Sequence, residues 1–134
     1  DPQDLIESLV EPDVQNRIHL HHRYISDQER DSWFKACDAM ILPYRRIYNS
    51  GVIMMALSYG TTVIASDLQA NREIIQNGVN GCLFEDGNPL DLAQNIIRLK
   101  NTSNRPTFEA IMNPLRTNHS WDLMAQQMKP FLGR

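Results

Sequence analysis

The stretch of sequence that decides the fold is residues 38–67, which read DAMILPYRRIYNSGVIMMALSYGTTVIASD. Two short apolar runs, 38–43 and 62–66, stand on either side of an apolar segment of helical length, 52–59, that Gly60 ends. Strands that are apolar on both faces are typical of parallel sheets covered by helices. The pattern therefore predicts a β-α-β unit with a right-handed crossover.

Helix and strand signals continue this unit in both directions along the chain. They are a helix over 3–9 that Pro12 ends, a strand over 18–25, a helix that Asp27 caps, a helix over 69–76, a strand over 82–84, a helix from Pro89 to about Lys100, and two helices within 107–134. Strands that alternate with helices at this spacing predict an α/β fold, a Rossmann-like parallel sheet flanked by helices. The last two helices form a helical C-terminal segment.

Composition limits the class of protein. The chain has 134 residues, of which 42% are hydrophobic and 22% charged, so one domain over 1–134 can bury a core without disulfides or a structural metal. The formal net charge of -3 argues against a nucleic-acid-binding protein, which would carry a strong excess of Lys and Arg.

The two cysteines and the first residues of the sequence predict where in the cell the protein is found. Cys37 and Cys82 lie in apolar stretches outside any metal-binding spacing, so we expect reduced thiols in a cytoplasmic protein. No uninterrupted apolar run in the sequence is long enough to span a bilayer. Asp1 to Asp4 lack the basic and apolar regions of a signal peptide, and we interpret them as the cut end of a longer protein.

In open parallel sheets, ligands bind beyond the carboxyl ends of the strands. This rule selects two loops, 23–27 and 43–50. The second loop runs directly into a helix, where Ser50 can act as the cap and the amides from Gly51 to Ile53 lack intrahelical acceptors. Together with the positive end of the helix dipole, these amides favour an anion such as a diphosphate.

Two side-chain features support an anion at this helix start. Gly51 has no Cβ, so a phosphate can approach the backbone closely, and the guanidinium of Arg45 suits phosphate oxygens. The same residues also fit an ordinary strand-loop-helix turn, with Ser50 as the cap and with Arg45 and Arg46 solvated. Both interpretations stay open on the residues alone.

Other chemistries have weaker support in the sequence. His19, His21 and His22 have the residue type of a metal site, but in a strand His22 faces away from the other two, and no carboxylate or cysteine lies nearby at ligand spacing. Ser66-Asp67 and His119-Ser120 supply the residue types of a catalytic triad, but the sequence has no nucleophile elbow, which argues against a hydrolase.

Several stretches together resemble the C-terminal, donor-binding domain of the family 4 glycosyltransferases. Residues 36–44, 50–67 and 72–84 carry most of the resemblance, and 120–125 is similar to the Trp-containing start of the family's last helix. The similarity extends over roughly 17–132. No single motif is decisive, but their order and spacing together are specific.

The resemblance implies one half of a GT-B fold, in which the active site lies in the cleft between two Rossmann-like domains. Members transfer a sugar, with retention at the anomeric carbon, from a nucleotide sugar to a glycan, lipid or small-molecule acceptor. The implied partners are therefore an N-terminal acceptor-binding domain, a UDP- or GDP-sugar, and a glycan or lipid-linked acceptor, often in cell-surface polysaccharide synthesis. No metal or other cofactor is expected, and membrane-attached acceptors would bring a cytoplasmic protein to the inner membrane face.

The resemblance also implies roles for individual residues. The donor phosphates are expected at Ser50, Gly51 and Val52, with help from Arg45. The pocket for the donor sugar and base is expected to include Tyr44, Tyr48, Asn49, Ile47, Met55, Arg23, Tyr24 and Ile25. Catalytic residues are not identified.

The sequence departs from the family pattern in the donor site. Ile47 and Met55 stand where members often carry two glutamates, which contact the donor sugar and the ribose hydroxyls. The family's first strand, with its basic diphosphate-binding residues, would precede Asp1, and the acceptor domain is absent. Two alternatives therefore stay open: a catalytically degenerate domain that acts as a binding or scaffold module, and a relative similar to nucleotide-sugar epimerases.

Overall fold

In the part of the chain that the structure describes, three parallel strands form a sheet in the order β1-β2-β3, with β2 in the middle. Strand β1 is Ala39–Leu42, β2 is Thr62–Ser66 and β3 is Gly81–Phe84. A computed structural model of the chain describes residue 4, residues 8–46 and residues 51–101. All five residues of β2 are buried, as expected for a strand covered on both faces. The predicted α/β fold with a parallel sheet is confirmed.

Helices precede, connect and follow these strands. They are α1 (Pro12–Gln15), α2 (Asp27–Ala36), α3 (Gly51–Ser58), α4 (Gln69–Arg72) and α5 (Pro89–Asn101). Asp4, Ser8 and Leu9 are also helical, while the rest of the predicted helix over 3–9 lies outside the described residues. The same is true of the two helices predicted within 107–134.

The hydrophobic core lies on one face of the sheet. Its buried members are Phe34, Leu42, Ile53, Ala56, Leu57, Val63, Ala65 and Ile75. Because side chains alternate along a strand, Val63 and Ala65 point into this core, whereas Ile64 and Ser66 point to the opposite face. Helix α5 contacts β2 and β3, and Ile64 lines a cavity with Ile96 of that helix. The end of β2 therefore presents Ser66 on the α5 face.

Gly60 terminates helix α3, as the sequence predicts. Gly60 has a φ of 73°, and its N–H donates to the carbonyl of Leu57 at 2.9 Å. The N–H of Thr61 donates to the carbonyl of Ala56, also at 2.9 Å. This pair of bonds is the Schellman arrangement, which satisfies the last carbonyls of the helix and turns the chain into β2.

The strand predicted over 18–25 is wrong. None of these residues is in a strand, and among the described residues β1 pairs with β2 alone. Ile18 and Leu20 are 38% and 37% exposed, so their alternation buries no apolar face. A strand is stabilised by cross-strand contacts and burial more than by residue preference, and this segment has neither.

The helix predicted over 69–76 is shorter in the structure, where α4 ends at Arg72. The buried side chain of Asn80 provides the hydrogen bonds that a further helical turn would have made. Its Oδ1 accepts from the N–H of Gln76 at 2.7 Å, and its Nδ2 donates to the carbonyl of Ile74 at 3.0 Å. These two hydrogen bonds hold the chain in the turn that precedes β3.

The cap of α2 also differs from the prediction. Ser26, not Asp27, provides it, because the Oγ of Ser26 accepts from the N–H of Glu29 at 3.3 Å while Asp27 is the first helical residue. Serine is a preferred N-cap residue for this reason.

The chain divides into two compact units, Asp1–Arg30 and Asp31–Arg134. The second unit contains the sheet and its core. In the part of the chain that the structure describes, no helix is both long and apolar enough to cross a membrane.

Candidate functional site

The carboxyl ends of the three strands share one edge of the sheet, and a pocket of about 370 Å³ opens there. The last residues of β2 and β3 and the segments that follow β1 and β3 contribute to its walls. The lining residues are Pro43, Arg45, Ser66, Phe84, Asp86, Gly87, Asn88, Pro89 and Leu92. The pocket therefore lies at the edge where parallel α/β sheets bind their ligands.

The β1–α3 connection reaches the same edge, and α3 begins at Gly51. Gly51 is exposed, and a Cβ there would meet no described atom within 4 Å. Its φ is not among the positive values that favour glycine, which in the described residues occur at Gly60, Gly78 and Gly87. Among the residues that the structure describes, neither packing nor backbone conformation therefore requires glycine at position 51.

Arg45 and Tyr44 lie in the described part of this connection. Arg45 is exposed and lines the pocket, and Tyr44 is 39% exposed. Both side chains are accessible to a ligand at the carboxyl edge. The other predicted residues of this loop, Ile47, Tyr48, Asn49 and Ser50, lie outside the described residues.

The remaining predicted residues of α3 have different surroundings. Val52 is 39% exposed on the first turn of the helix. Met55 is half-buried and packs against the hydrophobic core. The side chain of Met55 therefore contacts other residues of the core, which leaves little of its surface for contact with a ligand.

Arg23, Tyr24 and Ile25 belong to the first unit of the chain. The guanidinium of Arg23 donates two hydrogen bonds to the carboxylate of Glu29, at 2.5 and 2.8 Å. These hydrogen bonds, and then the charge of Glu29, raise the pKa of Arg23. Tyr24 is 84% exposed and Ile25 is half-buried. Arg23 already has a carboxylate partner, while the ring of Tyr24 is accessible.

Ser66 is a residue of the pocket that the sequence analysis missed. It is 1% exposed, and its Oγ makes no hydrogen bond to any residue that the structure describes. Buried hydroxyl groups nearly always have a partner. The available sequence signal was the polar residue that closes an otherwise apolar strand, and it was interpreted only as a triad residue type.

Asn71 is fully buried and contacts Ser66 at the end of β2. Its Nδ2 donates to the carbonyl of Ser66 at 2.8 Å, and its Oδ1 has no partner within the described part of the chain. The end of β2 is thus a polar, buried position held by a side-chain amide. No pattern in the sequence indicates this contact.

The wall formed by the β3–α5 turn is held by a set of short hydrogen bonds. Asn88 caps α5, because its Oδ1 accepts from the N–H groups of Leu90 and Asp91, both at 3.1 Å. Asp91 in turn accepts from the N–H of Glu85 at 2.7 Å. Gly87 has a φ of 75°, the left-handed conformation that glycine favours. The hydrogen bonds and this backbone conformation hold the β3–α5 turn in place, so this wall of the pocket is preformed.

An ion pair holds the loop after β2. The guanidinium of Arg72 donates to both carboxylate oxygens of Asp67, at 2.5 and 2.9 Å. The hydrogen bonding lowers the pKa of Asp67 against the opposing effect of partial burial, and the charge of Arg72 lowers it further. Asp67 is therefore an ionised, paired carboxylate and not a free base beside Ser66.

Among the residues that the structure describes, no group of three or more His, Cys, Asp or Glu is arranged to hold a metal ion. Both cysteines are free thiols and are half-buried. Burial raises the pKa of the Cys82 thiol, more than the charge of Arg98 lowers it, so its reactive thiolate form is disfavoured.

Comparison with known proteins relates the chain to glycosyl transferases. The sequence profile described as glycosyl transferases group 1 matches residues 1–102. A GDP-mannose:glycolipid 4-beta-D-mannosyltransferase of Xanthomonas campestris pv. campestris is 29% identical over 80 residues, which are 60% of this chain and 22% of that protein. An uncharacterized glycosyltransferase of Methanocaldococcus jannaschii is 26% identical over 87 residues, or 63% of this chain and 22% of that protein.

A solved structure shows the same fold. The sucrose-phosphate synthase of Thermosynechococcus elongatus superposes with a TM-score of 0.74 over 97% of this chain and 32% of that one, at 20% sequence identity. The chain spans about a fifth of the length of the two curated relatives and about a third of this structure.

Proposed function

Because this chain belongs to the glycosyl transferases group 1 family, we propose that it is the donor-binding C-terminal part of a retaining, family 4-like glycosyltransferase of the GT-B type. In this proposal the chain holds a nucleoside-diphosphate sugar, and a second, N-terminal domain presents the acceptor. The relative from Xanthomonas campestris carries GDP-mannose and a glycolipid in its name. A UDP- or GDP-sugar donor and a glycan or lipid-linked acceptor follow as the substrate classes proposed here.

The observation that carries the proposal is the open start of α3. Gly51 is the first residue of the helix that follows β1, and a Cβ there would meet no described atom within 4 Å, so neither its backbone nor its packing against the described residues requires glycine. The first amides of a helix and its dipole attract a diphosphate, and the missing Cβ lets the phosphate approach closely. A ligand requirement at Gly51 would explain a glycine that packing against the described residues does not require.

Arg45 supports the same proposal from the loop before the helix. It is exposed and lines the pocket at the carboxyl edge, so its guanidinium can contact the outer phosphate oxygens. Positive charge and helix amides together stabilise the nucleoside diphosphate that leaves during sugar transfer, without a metal ion.

The proposal accounts for the two positions at which family members often carry glutamates. Ile47 and Met55 cannot accept hydrogen bonds as carboxylates do, and Met55 packs against the core. The donor sugar and ribose are therefore proposed to be held by other groups, with the N-terminal domain completing the site and excluding water. A binding or scaffold module that lacks transfer activity is the second candidate, and the loss of these two carboxylates favours it.

Nuclear magnetic resonance titration of the isotope-labelled chain with GDP, UDP, GDP-mannose and UDP-glucose tests the proposal. We expect localised shifts of the Gly51 and Val52 amides. Gly51→Asp places a carboxylate where the phosphate would lie and should abolish the shifts while leaving the other amides in place. Gly51→Asn fills the same space without a charge and should retain more affinity than the aspartate variant.

Two outcomes would remove the proposed site. One is an affinity of Gly51→Asp equal to that of the unchanged chain. The other is an absence of nucleotide binding that persists in the complete enzyme containing this sequence, and that result would favour the scaffold module. Sugar-transfer assays of the complete enzyme, with the anomeric configuration of the product determined, test the retaining reaction.

A further inference from the structure

An open groove lies beside strand β1 on the α5 face of the sheet, opposite the hydrophobic core. Ile41 pairs with Ile64 and shares its face, and both line this β1–α5 groove, which has a volume of about 360 Å³. Ala39, Ile96 and Leu99 continue its apolar lining. Ile41 and Ile96 are 41% and 39% exposed. Because parallel sheets are normally covered by helices on both faces, this apolar surface lacks its cover among the residues that the structure describes.

Helix α5 runs from the carboxyl edge of the sheet to the opposite end of the strands. Its first residue, Pro89, lines the pocket at the carboxyl edge. Its last turn contributes Leu99 and Lys100 to the β1–α5 groove, together with Ala39, the first residue of β1. The chain therefore leaves the described part of the structure, after Asn101, at the amino end of β1 and beside the groove.

The residues that come next lie outside the described part of the chain, and their sequence predicts a short amphipathic helix. Residues 107–113 read TFEAIMN. The threonine at the start is a residue type that caps helices. Phe108, Ile111 and Met112 have the spacing of one helical face, and Glu109 falls on the other side. This segment therefore has an apolar face that requires a partner surface.

The position and length of this segment fit the groove. Only residues 102–106 separate it from α5, and helices joined by so short a loop usually pack side by side and antiparallel. A helix antiparallel to α5 runs parallel to β1 and starts at its amino end. Helical residues 107–113 extend over about 10 Å, and a strand of the length of β1 extends over about 13 Å.

We propose that residues 107–113 dock as a helix in the β1–α5 groove, with Ile111 and Met112 against Ile41 and Ile96. The segment completes the cover of the sheet on the α5 face. It also returns the chain toward the carboxyl edge, because it runs parallel to β1, so the residues after it come within reach of the candidate site. The docking does not rest on the proposed glycosyltransferase function and can be tested without any nucleotide or sugar.

Nuclear magnetic resonance of the methyl-labelled full chain tests the docking directly. We expect nuclear Overhauser contacts from the methyl group of Met112 to the δ1 methyl groups of Ile41 and Ile96. A mixture of two differently labelled samples separates contacts within one molecule from contacts between two. Contacts within one molecule support the docking. Contacts found only between molecules would overturn it and show that a second copy of the chain covers the groove.

A matched pair of charge substitutions tests which face of the segment docks. Ile111→Asp places a carboxylate on the apolar face and should abolish the contacts of Met112, because an unpaired charge is costly to bury. Asn113→Asp introduces the same charge on the other side of the predicted helix and should retain them. Contacts that persist in Ile111→Asp, or that are lost equally in both variants, would contradict the proposed orientation.

Two neighbouring isoleucines of α5 provide an independent test by urea denaturation. Ile96 lines the groove, whereas Ile97 does not and is 57% exposed. If the segment covers Ile96, Ile96→Ala should raise the unfolding equilibrium constant at least about tenfold more than Ile97→Ala, since it removes buried apolar volume. In the background of Ile111→Ala this difference should shrink, because side chains in contact have non-additive effects.

The docking is overturned if Ile96→Ala and Ile111→Ala have strictly additive effects on stability, or if Ile96→Ala costs no more than Ile97→Ala. It is also overturned if the methyl groups of Ile41 and Ile96 contact a different segment of the chain. Both alanine variants of α5 keep a residue that favours helix, so the comparison does not depend on a loss of the fold.

Discussion

Gly81 and Val63 approach each other so closely across the β2–β3 pair that a Cβ at position 81 would lie 2.7 Å from the carbonyl oxygen of Val63. The same Cβ would lie 3.1 Å from Cγ2 of Ile75, a buried member of the core. Neither neighbour can yield without moving a strand or the core. Glycine at position 81 is therefore required by the packing of the sheet, in contrast to Gly51, where the space is open.

We expect Gly81→Ala to lower the free energy of unfolding by about 1–3 kcal/mol, the usual cost of forcing extra volume into a packed interior. Urea denaturation followed by circular dichroism measures it. Gly51→Ala is the matched control, because its Cβ meets no described atom and alanine favours helix more than glycine does. Its stability should be unchanged or higher, and equal losses in both variants would contradict the contrast.

Arg45 and its neighbour Arg46 allow a matched test of the diphosphate site. Arg45 lines the carboxyl-edge pocket, whereas Arg46 is exposed and does not. We expect Arg45→Gln to weaken GDP or UDP binding about tenfold, because a hydrogen bond to a charged group is lost. Arg46→Gln should change the affinity far less. Calorimetric titration measures both, and similar losses in the two variants would indicate only a general effect of charge.

Tyr59 ties the end of α3 to α2 through two contacts. Its hydroxyl donates to the carboxylate of Asp31 at 2.5 Å, and its ring stacks on Phe34 with the centroids 5.2 Å apart. Tyr59→Phe keeps the ring and removes the hydroxyl, so we expect the free energy of unfolding to fall by about 1–3 kcal/mol. Tyr24→Phe, at a residue 84% exposed, should change stability by less than about 0.5 kcal/mol. A Tyr59→Phe variant as stable as the unchanged chain would contradict the role of the hydroxyl.

The Asp67–Arg72 pair predicts a dependence of stability on pH. Arg72 lowers the pKa of Asp67 in the folded chain, so the unfolded chain binds more protons in the acid range and stability rises with pH there. The contribution is present above the unfolded pKa of the carboxyl and is lost as the pH falls through the lowered folded value. Since the Asp67 side chain is 36% exposed, salt should reduce the effect, and the effect is small.

Denaturation midpoints measured from neutral to acid pH test this prediction. Asp67→Asn and Arg72→Gln should each remove the same part of the pH dependence, because each removes the pair. If the pH profile of either variant coincides with that of the unchanged chain, the pair does not contribute.

Local sequence signals predicted much of the sheet and its connections. The bounds of β2 match the predicted 62–66, and α3 and α5 begin within a residue of their predicted starts. Each of these segments combines an apolar run with a stop or start signal beside it, such as Gly60 or Pro89. The failures lie where the deciding contact is distant, as with Asn80, whose side chain ends the helix after Arg72.

The sequence by itself determined that this chain is a parallel α/β protein, because apolar runs and turn residues fix the structure of neighbouring residues in the chain. It also predicted a ligand site at the carboxyl ends of the strands. It also placed Arg45 and Gly51 at that edge. Only the tertiary structure decided that Ser66, at the end of β2, is buried with no hydrogen-bond partner for its Oγ among the described residues, beside a pocket lined by segments far apart in the chain. The reason is that burial and hydrogen-bond satisfaction depend on residues far apart in sequence, which local pattern does not specify.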